Sequence, residues 1–228
     1  MGLVDYEALY RLQDEVLDIV FASENIFYLT GGTCLSRFYK AKRYSDDLDF
    51  FADSSARYAF ALRRLRSRLA EKYPVRVEVE SKDFTRFRIN HFLQVDFVNE
   101  HAPRWKEVVV TPEGRIIDNI ENILANKLTA VVARDDPKDV FDVYLIWKFY
   151  AFSWAEILEA AQKKAYFSDD MLAVRLRTFP QEAFSTLKVI DPHFLNDFNE
   201  DRPVLLDELI RRAPHRPSSQ GQTLRSDK

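Results

Sequence analysis

Apolar residues recur at helical intervals near the start of the chain. Leu9, Leu12, Val16, Ile19 and Val20 form one stripe over residues 5–22, which predicts an amphipathic helix. A short unbroken apolar run at 26–29, Ile-Phe-Tyr-Leu, reads as a buried strand and stops at Thr30-Gly31-Gly32. Residues 33–39 read as a short helix. Leu48, Phe50 and Phe51 mark a second strand, after which Ser54 or Ser55 is placed to cap a helix running to about Lys72. Between Pro74 and Val98 the period changes to two: Val75, Val77 and Val79, then Phe87 and Ile89, then Leu93, Val95 and Phe97 alternate with polar residues. Asn90-His91 lies at the middle of this stretch and suggests a hairpin, although it lacks the favoured Asn-Gly pair. Two weaker strands, 107–110 and 115–117, flank the turn residues Pro112-Glu113-Gly114. From residue 118 onward the pattern is helical: 120–134, 137–150, a third helix capped by Ser153, and further segments to about Arg212.

This layout divides into an αβ core over residues 1–118, a helical region over 119–213, and a polar tail over 214–228 without fixed structure. The expected class is α+β, a mixed sheet with flanking helices followed by a C-terminal helical region. Composition adds exclusions. With 46% hydrophobic and 30% charged residues the profile is that of a soluble chain. No run approaches the ~18 apolar residues a membrane span needs, and the N-terminus lacks the apolar core of a secretory signal. One cysteine, Cys34, excludes an intramolecular disulfide framework, and four scattered histidines give no zinc-ligand spacing. A cytoplasmic location is the expectation. Net charge is −3, so any attraction for polyanions must be local. The basic stretch 63–72 is either the solvated face of a helix or a track for an RNA backbone.

Three features carry candidate chemistry. Gly31-Gly32 sits between strand and helix, where glycine permits close approach of backbone to a phosphate, or simply makes a tight turn. In Asp46-Asp47-Leu48-Asp49-Phe50-Phe51, strand geometry points Asp47 and Asp49 to one face and Leu48 and Phe50 to the other. Two carboxylates about 4 Å apart repel by about 4 kcal/mol at an effective dielectric of about 20, so a positive group should sit beside them. Oxygen ligands of this kind suit Mg²⁺ or Mn²⁺; the plainer reading is an acidic strand end in solvent. Asp96 shares a face with Gln94 inside an otherwise apolar strand, either open to solvent or as a third ligand. Ser36 has no evident His–Asp partners, and Cys34 reads as a packed small residue rather than a nucleophile.

Together these residues resemble the DNA polymerase β-like nucleotidyltransferase superfamily. Two ordered blocks sharpen the likeness: GGTCLSRFYKAKRYSDDLDFF, with Arg43, Ser45, Asp47 and Asp49, and NKLTAVVARDDPKDVFDVYLI, with Lys127, Arg134, Lys138, Asp139 and Asp142. Both are similar to the nucleotidyltransferases of the AbiEii/AbiGii toxin group. Cys34 and Asn126 depart from that pattern without touching the acids. The resemblance implies a metal-dependent enzyme that moves an NMP from an NTP (ATP or GTP) to an acceptor hydroxyl, RNA and in particular a tRNA 3′ end. It implies a toxin-like role held in check by an antitoxin. Transfer to a protein hydroxyl and NTP binding without catalysis are the alternatives. In this reading Asp47, Asp49 and Asp96 hold Mg²⁺ or Mn²⁺, and Lys127 joins them in catalysis. Gly31, Gly32, Thr33, Arg43, Ser45, Arg134 and Lys138 bind the NTP. By position alone, Lys127 and Arg134 are equally two surface side chains on one helix face, and Asp139 equally a helix-start residue.

Overall fold

The computed structural model describes residues 5–217. The chain forms two compact units. One combines the residues up to Cys34 with Ser45–Pro103 and Glu107–Asp118; the other takes Leu35–Tyr44, Arg104–Lys106 and the chain from Asn119 on.

The first unit is built on a seven-stranded mixed sheet. In chain order its strands are β1 (Tyr28–Thr30), β2 (Asp47–Asp53), β3 (Val75–Glu80), β4 (Phe84–Ile89), β5 (Leu93–Glu100), β6 (Val109–Val110) and β7 (Ile116–Ile117). They lie side by side as β3-β4-β5-β2-β1-β7-β6, with β2–β5 and β1–β7 parallel and the other pairs antiparallel. Period-two patterning gives this sheet two unlike faces. Leu29, Leu48, Phe50, Ala52, Val95 and Phe97 are fully enclosed on one of them. Helix α1 (Tyr6–Ser23) packs there through Phe21, whose ring meets Phe50 edge-on at 5.8 Å. Helix α3 (Tyr58–Ala70) docks on the same face, the Tyr58 hydroxyl donating to the Phe97 carbonyl at 2.8 Å. Leu62, Leu65 and Leu69 of α3 are buried while Arg63, Arg64, Arg66 and Arg68 point outward. Two of these arginines are partnered by acids, Arg64 by Glu24 and Arg68 by Glu71. The basic stretch is thus the solvent face of an amphipathic helix.

Several local expectations change. Helix α3 begins at Tyr58, later than a Ser54 or Ser55 cap would place it; Ser54 has φ 44°, while the Ser55 carbonyl accepts from Tyr58 N–H. The β4–β5 hairpin turns through three residues, with Asn90 and His91 both at positive φ (48° and 66°). The expected helix over 33–39 is instead a helical turn, α2 (Gly31–Cys34), starting directly from β1, followed by a π-helical segment (Leu35–Tyr39).

The second unit is helical: α4 (Ile120–Ala133), α5 (Pro137–Phe149), α6 (Trp154–Lys164), α7 (Asp169–Thr178) and α8 (Phe198–Ile210). Side-chain caps start most of them. Asn119, Asp136, Ser153 and Ser168 each accept a backbone N–H from the first turn. Pro214 and His215, expected to open a structureless tail, form strand β9 (Pro214–His215) against β8 (Phe152–Ser153). The His215 ring is buried, its Nδ1 2.8 Å from Glu208 and its Nε2 2.5 Å from the Trp147 carbonyl. A packed aromatic histidine with two polar partners overrides the polar composition around it. The rest of the expected tail, from residue 218, lies outside the described residues. No helix among the described residues is long and apolar enough to cross a membrane.

Candidate active site on the open face of the sheet

The face of the sheet opposite the apolar core carries the acids. Because β2 and β5 run parallel in register, Asp49 sits directly beside Asp96 and Asp47 beside Gln94. Alternation then puts all four side chains on one face. Asp47 and Asp49 are part-exposed, and Asp96 is buried.

The Gly-Gly turn is fitted to this arrangement. Gly31 has φ +72°, and a Cβ added there would overlap Asp49 Oδ2 and lie 3.2 Å from its Cγ. Glycine is therefore required twice, for its backbone conformation and for the closeness of Asp49. Thr33 donates its hydroxyl to the Asp47 carbonyl, tying the turn to the start of β2. Gly32 and Thr33 are buried in the same turn. Ser45 is held from α1: the Tyr10 hydroxyl accepts from its N–H at 3.2 Å, and Gln13 donates to its carbonyl at 3.1 Å. Cys34 is fully buried, and burial pushes its thiol well up, which disfavours a thiolate there. We expect Gly31→Ala to cost ~1–2 kcal/mol from the backbone alone and to displace Asp49. Melting and nucleotide-transfer assays should both register the change; unaltered activity would show that the close approach is dispensable.

Asp96 has partners that the sequence reading omits. Arg86, opposite it on β4, donates from Nε and Nη2 to the two carboxylate oxygens, each at 2.7 Å. Gln94 adds a bond to Oδ2 at 3.2 Å. These contacts bear on whether the residues fit a divalent cation. The donors are hard oxygens, as Mg²⁺ and Mn²⁺ prefer, and Gly31 leaves Asp49 room on its flank. Asp47 and Asp49 offer donors of this kind; Asp96 has both oxygens bonded to a guanidinium in this arrangement. Among the described residues no group of three or more His, Cys, Asp or Glu side chains is gathered as a metal would need. Counting residues out from the turn at Asn90-His91 was the available signal for Arg86. A two-residue turn pairs 86 with 95, whereas the three-residue turn pairs it with 96.

The second unit holds a separate charge cluster. Asp142 on α5 receives Arg43 through two bonds, 2.8 and 2.7 Å, and Lys127 of α4 at 2.8 Å. Asp139, one turn earlier on α5, receives Lys127 at 2.9 Å and Arg134 at 2.7 and 3.1 Å. Both aspartates are fully enclosed and Lys127 is nearly so. Burial alone would depress the Lys127 ammonium, yet the charges of Asp142 and Asp139 outweigh it and hold its pKa above the ordinary value. Burial would raise both aspartates, and the cations beside them instead hold them below the usual carboxylate range. Lys127 is thus no surface side chain, and Asp139 does more than start a helix. The Lys138 side chain has no ion-pair partner among the described residues. Spacing could have shown the clamp, since Asp139 and Asp142 lie i, i+3 on one helix face.

Comparison with known proteins places this architecture. Two crystal structures from Helicobacter pylori share the fold. JHP933 matches with TM-score 0.57, 21% identity, 92% of this chain and 96% of its own. The second matches with TM-score 0.58, 21% identity, and 92% and 98% coverage. An uncharacterised Aquifex aeolicus protein, aq_aa25, is 27% identical over 165 residues, 70% of this chain and 76% of the relative. The mixed sheet with flanking helices is an α+β fold of the polymerase β-like kind. The family model for the nucleotidyl transferase AbiEii toxin of type IV toxin–antitoxin systems matches residues 17–214, and the chain belongs to that family.

Proposed function

We propose that the chain transfers the nucleoside monophosphate of an NTP to a hydroxyl of RNA, a tRNA 3′ end in particular, as the toxin-like partner of an antitoxin. The observation that carries this reading is the alignment of Asp47, Asp49 and Asp96 on one sheet face beside Gly31. Family membership supports the reaction class. In the proposed reaction the acceptor hydroxyl gives up its proton to solvent water as its oxygen bonds to the α-phosphorus, the bond from that phosphorus to the β-phosphate oxygen breaks, and pyrophosphate leaves with the electron pair.

Asp47 and Asp49 would hold the Mg²⁺ or Mn²⁺. When bound, such a cation supplies stabilisation of phosphoryl charge and eases deprotonation of the acceptor. Gly31 and Gly32 would let the backbone approach the phosphates, with Thr33 and Ser45 bracing that turn. The resemblance gives Lys127 a part in catalysis and Arg43 and Arg134 a part in binding the NTP; within the helical unit all three are bonded to Asp139 or Asp142. Lys138 enters as a further cation for the nucleotide. Such preorganised charges act where charge develops in the transition state.

The acceptor is tested with α-labelled NTPs, Mg²⁺ and a cell lysate divided into RNA and protein fractions. Label is expected in RNA of tRNA size. Label in protein instead would favour a protein hydroxyl as acceptor, and NTP binding without pyrophosphate release would mark a module that binds without catalysis.

A further inference from the structure

Two carboxylates on one strand face call for a compensating positive charge, and the chain carries one itself. Arg86 grips Asp96 in a two-pronged pairing, with both bonds at 2.7 Å. This is the strongest geometry an arginine and a carboxylate can adopt. The Asp96 side chain is 10% exposed and that of Arg86 32%. Water therefore weakens the pair only on the Arg86 side. The register sets Asp96 between two strands, with Arg86 beside it on β4 and Asp49 beside it on β2. The negative neighbours whose charges act on Arg86 include Asp47 and Glu78 as well as Asp96. Its guanidinium thus lies within electrostatic reach of Asp47 while bonded to Asp96.

A divalent ion and a guanidinium want the same thing from Asp96. Metal ligation needs carboxylate lone pairs, and Arg86 already occupies one on each oxygen, with Gln94 bonded to Oδ2 as well. Two cations at one carboxylate also repel. Both cannot hold Asp96 fully at once. Resting on the reading that Asp47 and Asp49 hold the divalent cation, we propose that Arg86 and that cation are alternative partners of Asp96. Arg86 then restrains cation affinity, and the third carboxylate joins the ion only when Arg86 releases it.

Mn²⁺ titration of the full chain without nucleotide, read as free Mn²⁺ by electron paramagnetic resonance, tests this. Arg86→Gln is expected to bind Mn²⁺ at least tenfold more tightly than the wild type, and adding Asp96→Asn should abolish the gain. Arg86→Lys, which keeps the charge but cannot span both oxygens, should show a smaller gain and guards against a folding failure of the glutamine variant. Thermal melting confirms that each variant is folded. Mn²⁺ binding lost in Asp47→Asn but unchanged or weaker in both folded Arg86 variants overturns the proposal alone. Mn²⁺ binding indifferent to both Asp47→Asn and Asp49→Asn, or absent from every form, overturns the underlying metal reading and this proposal with it.

Discussion

Asp49→Asn is expected to lower nucleotide transfer about a thousandfold, equivalent to about 4 kcal/mol of transition-state stabilisation, while the melting temperature stays near that of the wild type. The amide keeps the shape of the side chain and its place beside Gly31. What it removes is the negative charge that we propose binds the cation. Asp47→Asn should behave alike. Single-turnover transfer rates beside melting curves separate the two effects. A folded Asp49→Asn protein that transfers nucleotide normally would remove the acid face from the chemistry.

The second large effect concerns stability. Asp142→Ala should destabilise the helical unit by about 3–5 kcal/mol, the usual cost of stripping one partner from a buried charge pair. Arg43 and Lys127 would lose the carboxylate that compensates them in a closed site. Denaturant unfolding measures this, and a loss below about 1 kcal/mol would mean that water reaches the cluster freely. Its pH dependence follows from the signs. Asp139 and Asp142 are held below their ordinary value of 3.8, so their stabilisation is complete above it and is lost as pH falls through the depressed folded values. Lys127 is held above its ordinary 10.5, so its share is complete below that and lost as pH rises past the folded value. Between about pH 5 and pH 9 the deficit of Asp142→Ala should be constant, shrinking only toward the acid and alkaline extremes.

Much of the candidate site could be read from local pattern. The alternation of Leu48, Phe50, Val95 and Phe97 with acids was enough to put Asp47, Asp49 and Asp96 on polar faces, and the structure brings those faces together by pairing β2 with β5. What pattern could not supply was strand register. Arg86 was missed because one extra turn residue changes which face of β4 meets Asp96. The Lys127 cluster was half legible. Its residues were singled out from the two motif blocks, Arg43 from the first and the others from the second, but burial made them partners of one another before anything else. Chain order also misled locally. Residues 35–44 lie within the αβ half of the sequence and belong to the helical unit, where Arg43 bridges to Val189 and meets Asp142. His215 escaped notice because packing against Trp147 and Glu208 outweighs a polar, proline-containing neighbourhood.

The most direct test of the central claim is transfer by the purified chain. Wild-type protein, α-labelled NTPs, Mg²⁺ and bulk tRNA are incubated beside folded Asp47→Ala protein. Label is expected at tRNA 3′ ends with the wild type and is expected to be lost with Asp47→Ala or on chelation of the metal. Equal labelling by wild type and Asp47→Ala would contradict it.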